Sequence, residues 1–399
     1  MTNATQDYGD LRVTMTSALD WIWNDLDSGA TTDFEAYHPR SQGNLRPLGS
    51  VGFSSYGDRN GKFAVILVGN NPSSTGKPAV ASPTGYDQIW RDEESGGEYD
   101  GSFWRPRAPS GYVALGDVCQ RYWNTPSTDI IWCVRSDLVQ DSNYFRSKVW
   151  DDHMSGATLD CSVWDIGLPS LGVNGSANIP ISTNTFRANN NWSEPNNSLA
   201  QVLVLPNPKK FVEFTTPPPK FTKNNLPKGG DIFNCTDQCQ VTLPFTVYFP
   251  PTDAASLRAI SNPFCTLSRR IAWYVHTVHI NDGGGTISDS TTVTKGVSNT
   301  LSKEMTQSAG VSISASYGIM GFGMDVSLNY QFTSTISSSF TEYEETSRTQ
   351  EYTVPPYEAS IFLSKRIWIQ ASRADGSIVL REINFNANED IHLIGVPLK

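Results

Sequence analysis

Long hydrophobic runs are missing from this sequence. The longest, such as residues 63–68, fall far short of the roughly 20 residues of a spanning helix, so no helical anchor is expected. Charge is also scarce, at 18% of 399 residues. Basic residues are the rarer sign: 30 Lys and Arg stand against 40 Asp and Glu, a formal net charge of −10. That balance excludes nucleic acid as the main partner, because phosphate binding needs a cationic surplus. It equally argues against electrostatic adsorption to anionic lipid. The polar residues 1–10 lack the basic and apolar segments of a secretory signal. The expectation is a soluble protein with no visible signal peptide, released or secreted to act at a target-cell membrane, either by lysis or another route or as a mature form.

Metal and catalytic patterns are missing too. The cysteines at 119, 133, 161, 235, 239 and 265 fit no zinc spacing. They read as buried free thiols, with a Cys235–Cys239 disulfide as the alternative. His276 and His279 fall on opposite faces of a strand, which disfavours a joint metal site. Ser74-Thr75-Gly76-Lys77-Pro78 is a poor echo of a phosphate loop, with Asn71 in place of its first Gly and Pro78 in place of its Ser or Thr. No nucleophile elbow or zinc-protease motif occurs. No enzyme activity and no cofactor are expected.

What is present is turn and strand chemistry: 31 Gly, 24 Pro and 44 aromatic residues (11 Trp, 15 Tyr, 18 Phe). The length favours two domains. One motif occurs three times, beginning at Trp23, Trp90 and Trp150: W-x-D-x-x-S-G-[AG]-x-x-D-x-x-x-[WY]. Its copies hold Asp25, Ser28, Gly29, Asp33 and Tyr37; Asp92, Ser95, Gly96, Asp100 and Trp104; and Asp152, Ser155, Gly156, Asp160 and Trp164. Aromatic ends suit half-buried strands, while Asp and Ser-Gly suit a tight turn, so each unit opens as a hairpin. Three such units imply three sheets about a pseudo-threefold axis with a Trp from each at the centre, a β-prism. The third copy departs after Trp164: Ile166 stands where Pro39 and Pro106 stood, so one face of the prism is expected to differ.

Two readings of the repeated carboxylates stay open. Asp25, Asp33, Asp92, Asp100, Asp152 and Asp160 either satisfy turn backbone or form loops that bind a receptor glycan or Ca²⁺.

Residues 103–118 (FWRPRAPSGYVALGDV) and 131–139 (IWCVRSDLV) resemble the vacuolar protein sorting-associated family of fungi, plants and bacteria. The likeness covers roughly residues 15–205. Similar β-prism-like modules accompany some insecticidal pore formers, which implies a receptor-binding role for residues 1–205. Residues 206–228 read as a Pro-rich linker, since Pro217-Pro218-Pro219 cannot lie in a central strand. Residues 240–249 and 271–280 alternate as strands, the second ending at a glycine-rich turn.

Composition shifts again further on. Between 291 and 349, 22 of 59 residues are Ser or Thr, and Asp325 is the only charge from 305 to 341. Two period-two strands, 310–320 and 323–333, fold about a turn at Gly321-Phe322. Val311, Ile313, Ala315, Tyr317 and Ile319 then face Phe332, Tyr330, Leu328, Val326 and Met324, giving a membrane-facing side. Ser312, Ser314, Ser316 and Gly318 face Gln331, Asn329, Ser327 and Asp325, a polar side suited to line a pore. Strands of about 9–11 residues with this alternation match a membrane barrel, in which a ring of Asp325 carboxylates would favour cations. The pattern alone also fits an ordinary hairpin with one face on a soluble core.

This half resembles aerolysin-like pore formers of the epsilon-toxin and mosquitocidal-toxin branch. That resemblance implies an elongated all-β domain over 229–399, a tucked hairpin at about 305–341, a heptamer-like ring, and framework strands at 352–356 and 361–371. The sequence reading is therefore an all-β chain, a β-prism-like domain followed by an aerolysin-like domain. It binds a surface receptor (glycan or protein), oligomerises and inserts a barrel, with insecticidal action implied by the resemblance. The rival readings are a non-lytic lectin or adhesin, and an intracellular sorting or scaffold protein.

Overall fold

The computed structural model describes residues 2–142, 145–168, 178–206, 212–309, 311–314, 318–321, 326–327, 343–388 and 391–399. The fold is all-β. Three successive units supply six strands each. The first gives β1 (Gln6–Tyr8), β2 (Leu11–Thr16), β3 (Leu19–Asn24), β4 (Glu35–Pro39), β5 (Val51–Phe53) and β6 (Val65–Asn70). The second gives β7 (Val80–Ala81), β8 (Gly85–Arg91), β9 (Gly101–Arg107), β10 (Tyr112–Val113), β11 (Val118–Arg121) and β12 (Cys133–Arg135). The third gives β13 (Val139–Asp141), β14 (Phe145–Asp151), β15 (Ser162–Ile166), β16 (Asn178–Ile181), β17 (Phe186–Asn189) and β18 (Gln201–Pro206).

Each unit builds two three-stranded sheets where the sequence pattern implied one. The apex sheets β3-β4-β5, β8-β9-β11 and β14-β15-β17 contain the repeated motif. The base sheets are β1-β2-β6, β7-β12-β10 and β13-β18-β16. The second tier escaped the sequence reading because its strands share no motif; it forms only when distant strands such as β2 and β6 pair.

The apex tier closes on Trp23, Trp90 and Trp150, whose ring centroids lie 5.6–5.9 Å apart. Equivalent positions of the repeat exchange volume around the axis. Phe34 occupies the slot of Gly101 and Cys161, and a Cβ on Gly101 would stand 2.6 Å from the Trp23 ring. Bulk in one copy thus requires its absence in the next, as close packing dictates.

The base tier does not end at the prism. Leu11, Val13, Ile66, Ile181 and Leu205 belong to one buried cluster with Leu243, Phe245, Leu267 and Ile367. The Tyr8 hydroxyl donates to the Thr242 carbonyl at 2.8 Å across the same boundary. Residues 212–228, part of the linker expected at 206–228, carry no regular element yet lie against the second half. Phe214 and Phe221 pack beside the Trp273 cluster, and the Trp273 indole donates to Thr216 O at 3.1 Å.

The second half is built on one seven-stranded sheet. Its strands are β19 (Ile232–Pro244), β20 (Phe264–Asn281), β21 (Ile287–Lys295), β25 (Thr346–Val354), β26 (Glu358–Arg373), β27 (Ile378–Asn386) and β28 (His392–Pro397). A short helix, α1 (Ala254–Arg258), precedes β20. The order is β19-β20-β26-β27-β21-β25, with β28 on the upper part of β26. The strand expected at 240–249 stops at Pro244 and gives way to a helical turn, Phe245–Val247, that plugs the shared core. All six cysteines are free thiols; five are buried and Cys235 is exposed.

A second helix, α2 (Asn299–Ala309), and a small meander, β22 (Val311–Ser314), β23 (Gly318–Gly321) and β24 (Val326–Ser327), lie between β21 and β25. This region departs from the expected ribbon. Helix occupies 305–309, the first residues of the expected hairpin segment, and Ser298 caps this helix: its Oγ accepts from Leu301 N at 3.2 Å. The pairing differs as well. Val311 is opposite Gly321 and Ile313 opposite Ile319, so Gly321 is a strand residue and not a turn in this form.

Candidate functional site

Two regions hold the residues singled out by sequence: the loop end of the prism, and the segment between β21 and β25. At the loop end the three copies repeat one bonding scheme. Asp25, Asp92 and Asp152 donate their N–H to Phe34, Gly101 and Cys161 carbonyls at 3.2, 3.1 and 3.1 Å. Ser28, Ser95 and Ser155 donate back to the three Asp carbonyls at 3.0, 2.9 and 2.9 Å. The serine hydroxyls then accept from Ala30, Gly97 and Ala157 N, each at 3.2 Å. Gly29, Gly96 and Gly156 sit at φ of 76°, 73° and 74°, the left-handed region that glycine enters freely. The loops are also tied in a ring: Thr31 N to His153 O, Glu98 N to Leu26 O and Thr158 N to Glu93 O, at 2.9–3.1 Å.

The inner carboxylates of this ring are buried and engaged. Asp25 Oδ1 accepts from Phe34 N and the Tyr56 hydroxyl, both at 2.7 Å, and its Oδ2 accepts from the Trp150 indole at 2.7 Å. Asp152 accepts from Cys161 N, the Trp192 indole and the Trp90 indole at 2.9, 2.7 and 3.0 Å. Asp92 accepts from the Trp123 indole at 2.8 Å. Burial raises the pKa of all three above the ordinary carboxylate value, against the opposing pull of these donors. A cation would have to displace indole and hydroxyl donors to reach them. Asp33, Asp100 and Asp160 are exposed at the rim. Among the described residues no group of three or more His, Cys, Asp or Glu gathers to hold a metal. Sequence reasoning missed Tyr56, Trp123 and Trp192. The first two sit 31 residues after their Asp, a spacing that could have revealed them, but the third sits 40 residues after.

The second region is bounded by a two-stranded ribbon. β21 and β25 pair antiparallel over nine positions without a bulge, from Ile287 opposite Val354 to Lys295 opposite Thr346. Much of the ribbon is exposed, and hydroxyls meet across it: Thr292 with Thr349 and Thr294 with Ser347, both at 2.7 Å. A single parallel bridge, Lys295 to Asn386, joins β21 to β27. The ribbon stops at Gly296, whose φ of +84° turns the chain toward α2. A Cβ there would lie 2.2 Å from the Glu344 carbonyl oxygen. On the other side Tyr343 is buried, accepts from Arg269 Nη1 at 2.8 Å and lies with Phe385 in the shared core. Val297 and Leu301 pack into the same cluster.

Of the expected membrane-facing residues, Val311 and Ile313 lie in β22, Ile319 in β23 and Val326 in β24. Of the expected pore-lining residues, Ser312 and Ser314 lie in β22, Gly318 in β23 and Ser327 in β24. Ala315, Ser316, Tyr317, Phe322, Met324, Asp325, Leu328, Asn329, Tyr330, Gln331 and Phe332 lie outside the described residues. β24 runs beside β16 of the prism base, so this meander is stowed against the first half. His276 and His279 take different partners, Ser364 Oγ at 2.6 Å and Tyr352 Oη at 2.5 Å. Among the described residues no helix is long and apolar enough to cross a membrane.

No curated protein matches the chain. Among solved structures it is similar to GNIP1Aa from Chromobacterium piscinae, at 24% identity over 47% of this chain and 35% of that one, with a TM-score of 0.37. It thus spans about a third of that protein's length. Cry35Ab1 aligns at 10% identity over 98% of this chain and 90% of that one, also with a TM-score of 0.37. The family model for vacuolar protein sorting-associated protein 62 matches residues 1–220, more than half of the chain and the whole threefold prism. By that match, the chain belongs to the vacuolar protein sorting-associated protein 62 family.

Proposed function

We propose that this protein forms pores by assembly and not by catalysis: the prism recognises a target surface, copies gather, and the segment between β21 and β25 leaves its stowed position to build a membrane barrel. The observation that carries this reading is the parity of the β21–β25 register. Each odd-numbered residue of β21 pairs with an even-numbered residue of β25. Continued past Gly296, that register pairs Val311 with Tyr330, Ile313 with Leu328, Ala315 with Val326, Tyr317 with Met324 and Ile319 with Phe322. Every one of these residues is apolar or aromatic.

The opposite face then pairs Ser312 with Asn329, Ser314 with Ser327 and Ser316 with Asp325, all polar. A slip of one residue would mix the two faces along the whole length, because side chains alternate with period two. A slip of two, which moves the turn from Met320-Gly321 to Gly321-Phe322, leaves both faces intact. The exposed ribbon is therefore a template whose extension yields a strand pair apolar toward lipid and hydroxyl-rich toward a lumen. A single pair would leave backbone groups unsatisfied in lipid, so several chains must close the barrel.

Dye release from vesicles of a membrane lipid extract tests this reading. Ile313→Arg places a charge on the lipid face, at a cost of about 2–4 kcal/mol per subunit near the midplane. It should abolish release while Ser312→Arg, facing the lumen, retains it and alters ion selectivity. Equal loss from both variants, or no release by the natural protein from vesicles that it binds, would rule the reading out.

A further inference from the structure

The three seams between units of the apex tier are not alike, and the third bears a cleft. At the first seam Ser50 Oγ accepts from Cys119 N at 3.0 Å, and His38 lies between Ser50 Oγ and Ile130 O at 3.3 Å from each. At the second seam Asp117 replaces Ser50 and Arg105 replaces His38. Asp117 accepts from Ala188 N at 2.9 Å, from Arg105 Nη2 at 2.9 Å and from Arg187 Nη1 at 3.1 Å, and Arg105 also reaches Ala188 O. Both seams are sealed by polar groups that cross from one unit to the next.

At the third seam the equivalent positions are Phe186 and Asp165. Phe186 offers no side-chain acceptor, and Asp165 turns outward to Arg146 at 2.9 Å. Arg146 itself is an insertion. The hairpins of the first two units have one register shift each, between Trp21 and Trp23 and between Gln88 and Trp90. The third has that shift and a further one between Phe145 and Ser147, so Arg146 is the extra residue. Bulges of this kind redirect a side chain and occur beside binding sites. A cleft of about 340 Å³ lies here, lined by Gly52, Phe53 and Phe63 of the first unit, by Arg146, Ser147 and Lys148 of the third, and by Pro250 and Pro251. Asn184 completes the wall at φ 56°, with its buried amide nitrogen lacking a hydrogen-bond partner. The equivalent positions of the other two units, Leu48 and Leu115, have neither the left-handed backbone nor an orphan donor, so strain and an unpaired donor coincide at this seam alone among the three.

We infer that this third seam binds a saccharide unit bearing a carboxylate. The volume suits a single sugar ring. Seryl hydroxyls of Ser54, Ser147 and Ser182 suit ring hydroxyls, and Phe53 and Phe63 offer the apolar surface a sugar's C–H face needs. Two cations line the cleft of a protein whose net charge is −10, Arg146 paired with Asp165 and Lys148 with Asp151, so a ligand carboxylate would compete with these partners. The Arg146 guanidinium bonds Asp165 through one nitrogen, and its fork matches a ligand carboxylate. This inference deepens the recognition step of the proposed function; it rests on that reading only for its setting, and binding is measured in the absence of membrane.

The test is ligand-observed NMR on the full chain with sodium glucuronate and methyl glucoside as probes. Glucuronate should show saturation transfer at millimolar concentration and methyl glucoside at least about tenfold weaker binding. Arg146→Ala should weaken glucuronate about tenfold, and Ser147→Trp, which fills the cleft from an exposed position, should abolish it with an unchanged unfolding temperature. Asp165→Asn removes the competing carboxylate and should strengthen binding a few-fold, an effect a structural ion pair would not give. Equal binding of both sugars, persistence in Ser147→Trp, or weaker binding in Asp165→Asn would each overturn the assignment. Failure here with dye release intact leaves the barrel reading standing.

Discussion

Gly296→Ala tests the extension of the ribbon at the residue where it stops. In the resting fold this position lies at φ +84°, and an added methyl would stand 2.2 Å from Glu344 O and 2.4 Å from its carbonyl carbon. Holding an L-residue in the left-handed region costs about 1–2 kcal/mol. Relieving the overlap forces the two backbones apart and weakens the adjacent Val297 N to Tyr343 O bond, now 3.1 Å, adding about 1 kcal/mol. In an extended ladder an alanine takes an ordinary strand conformation and none of these costs apply. The balance between stowed and extended states should move by about 2–3 kcal/mol, roughly 30- to 150-fold toward extension. The assay pairs thermal unfolding with the rate of dye release. A lower unfolding temperature with faster release is expected. A lower unfolding temperature with unchanged or slower release would refute the idea that the ladder propagates through Gly296.

Three further outcomes follow from the packing. Trp90→Ala removes a ring in contact with Trp23 and Trp150 and with Phe103 at 5.2 Å, and should destabilise the prism by about 3–5 kcal/mol in denaturant unfolding. Asp117→Ala leaves Arg105 and Arg187 facing each other in a buried seam and should cost about 3–5 kcal/mol, measured the same way. Burial, with Arg366 nearby, lowers the His276 pKa from 6.5 to about 4. A lowered pKa gives stability that is fully present above 6.5 and is lost as pH falls toward 4. The unfolding temperature should drop across that window, and the drop should shrink in His276→Gln.

The prism was legible because its signals are local. A tight turn needs its Asp and Ser-Gly within five residues, and three copies repeat the demand, so the hairpins and the central tryptophans could be placed before any contact was known. The departure after Trp164 was visible too, as Ile166 in a proline's place. What that departure does was not visible. The Arg146 bulge, the outward turn of Asp165 and the open seam depend on which strand faces which, and no local pattern encodes that. The same limit explains Trp192, whose distance from its aspartate breaks the spacing of Tyr56 and Trp123.

The segment between β21 and β25 divides in the same way. Its period-two alternation and near-absence of charge belong to the sequence alone and specify two faces wherever a strand pair forms. Whether residues 299–309 are helix or strand is another matter. Serine and threonine are indifferent helix formers, so the outcome rests on the Ser298 cap, the turn at Gly296, the packing of partly buried Leu301 and the burial of Tyr343 in a core shared with distant strands. Alternation is a property of neighbours along the chain and can be read there; register and burial are properties of residues brought together across hundreds of positions, and only the folded molecule decides them.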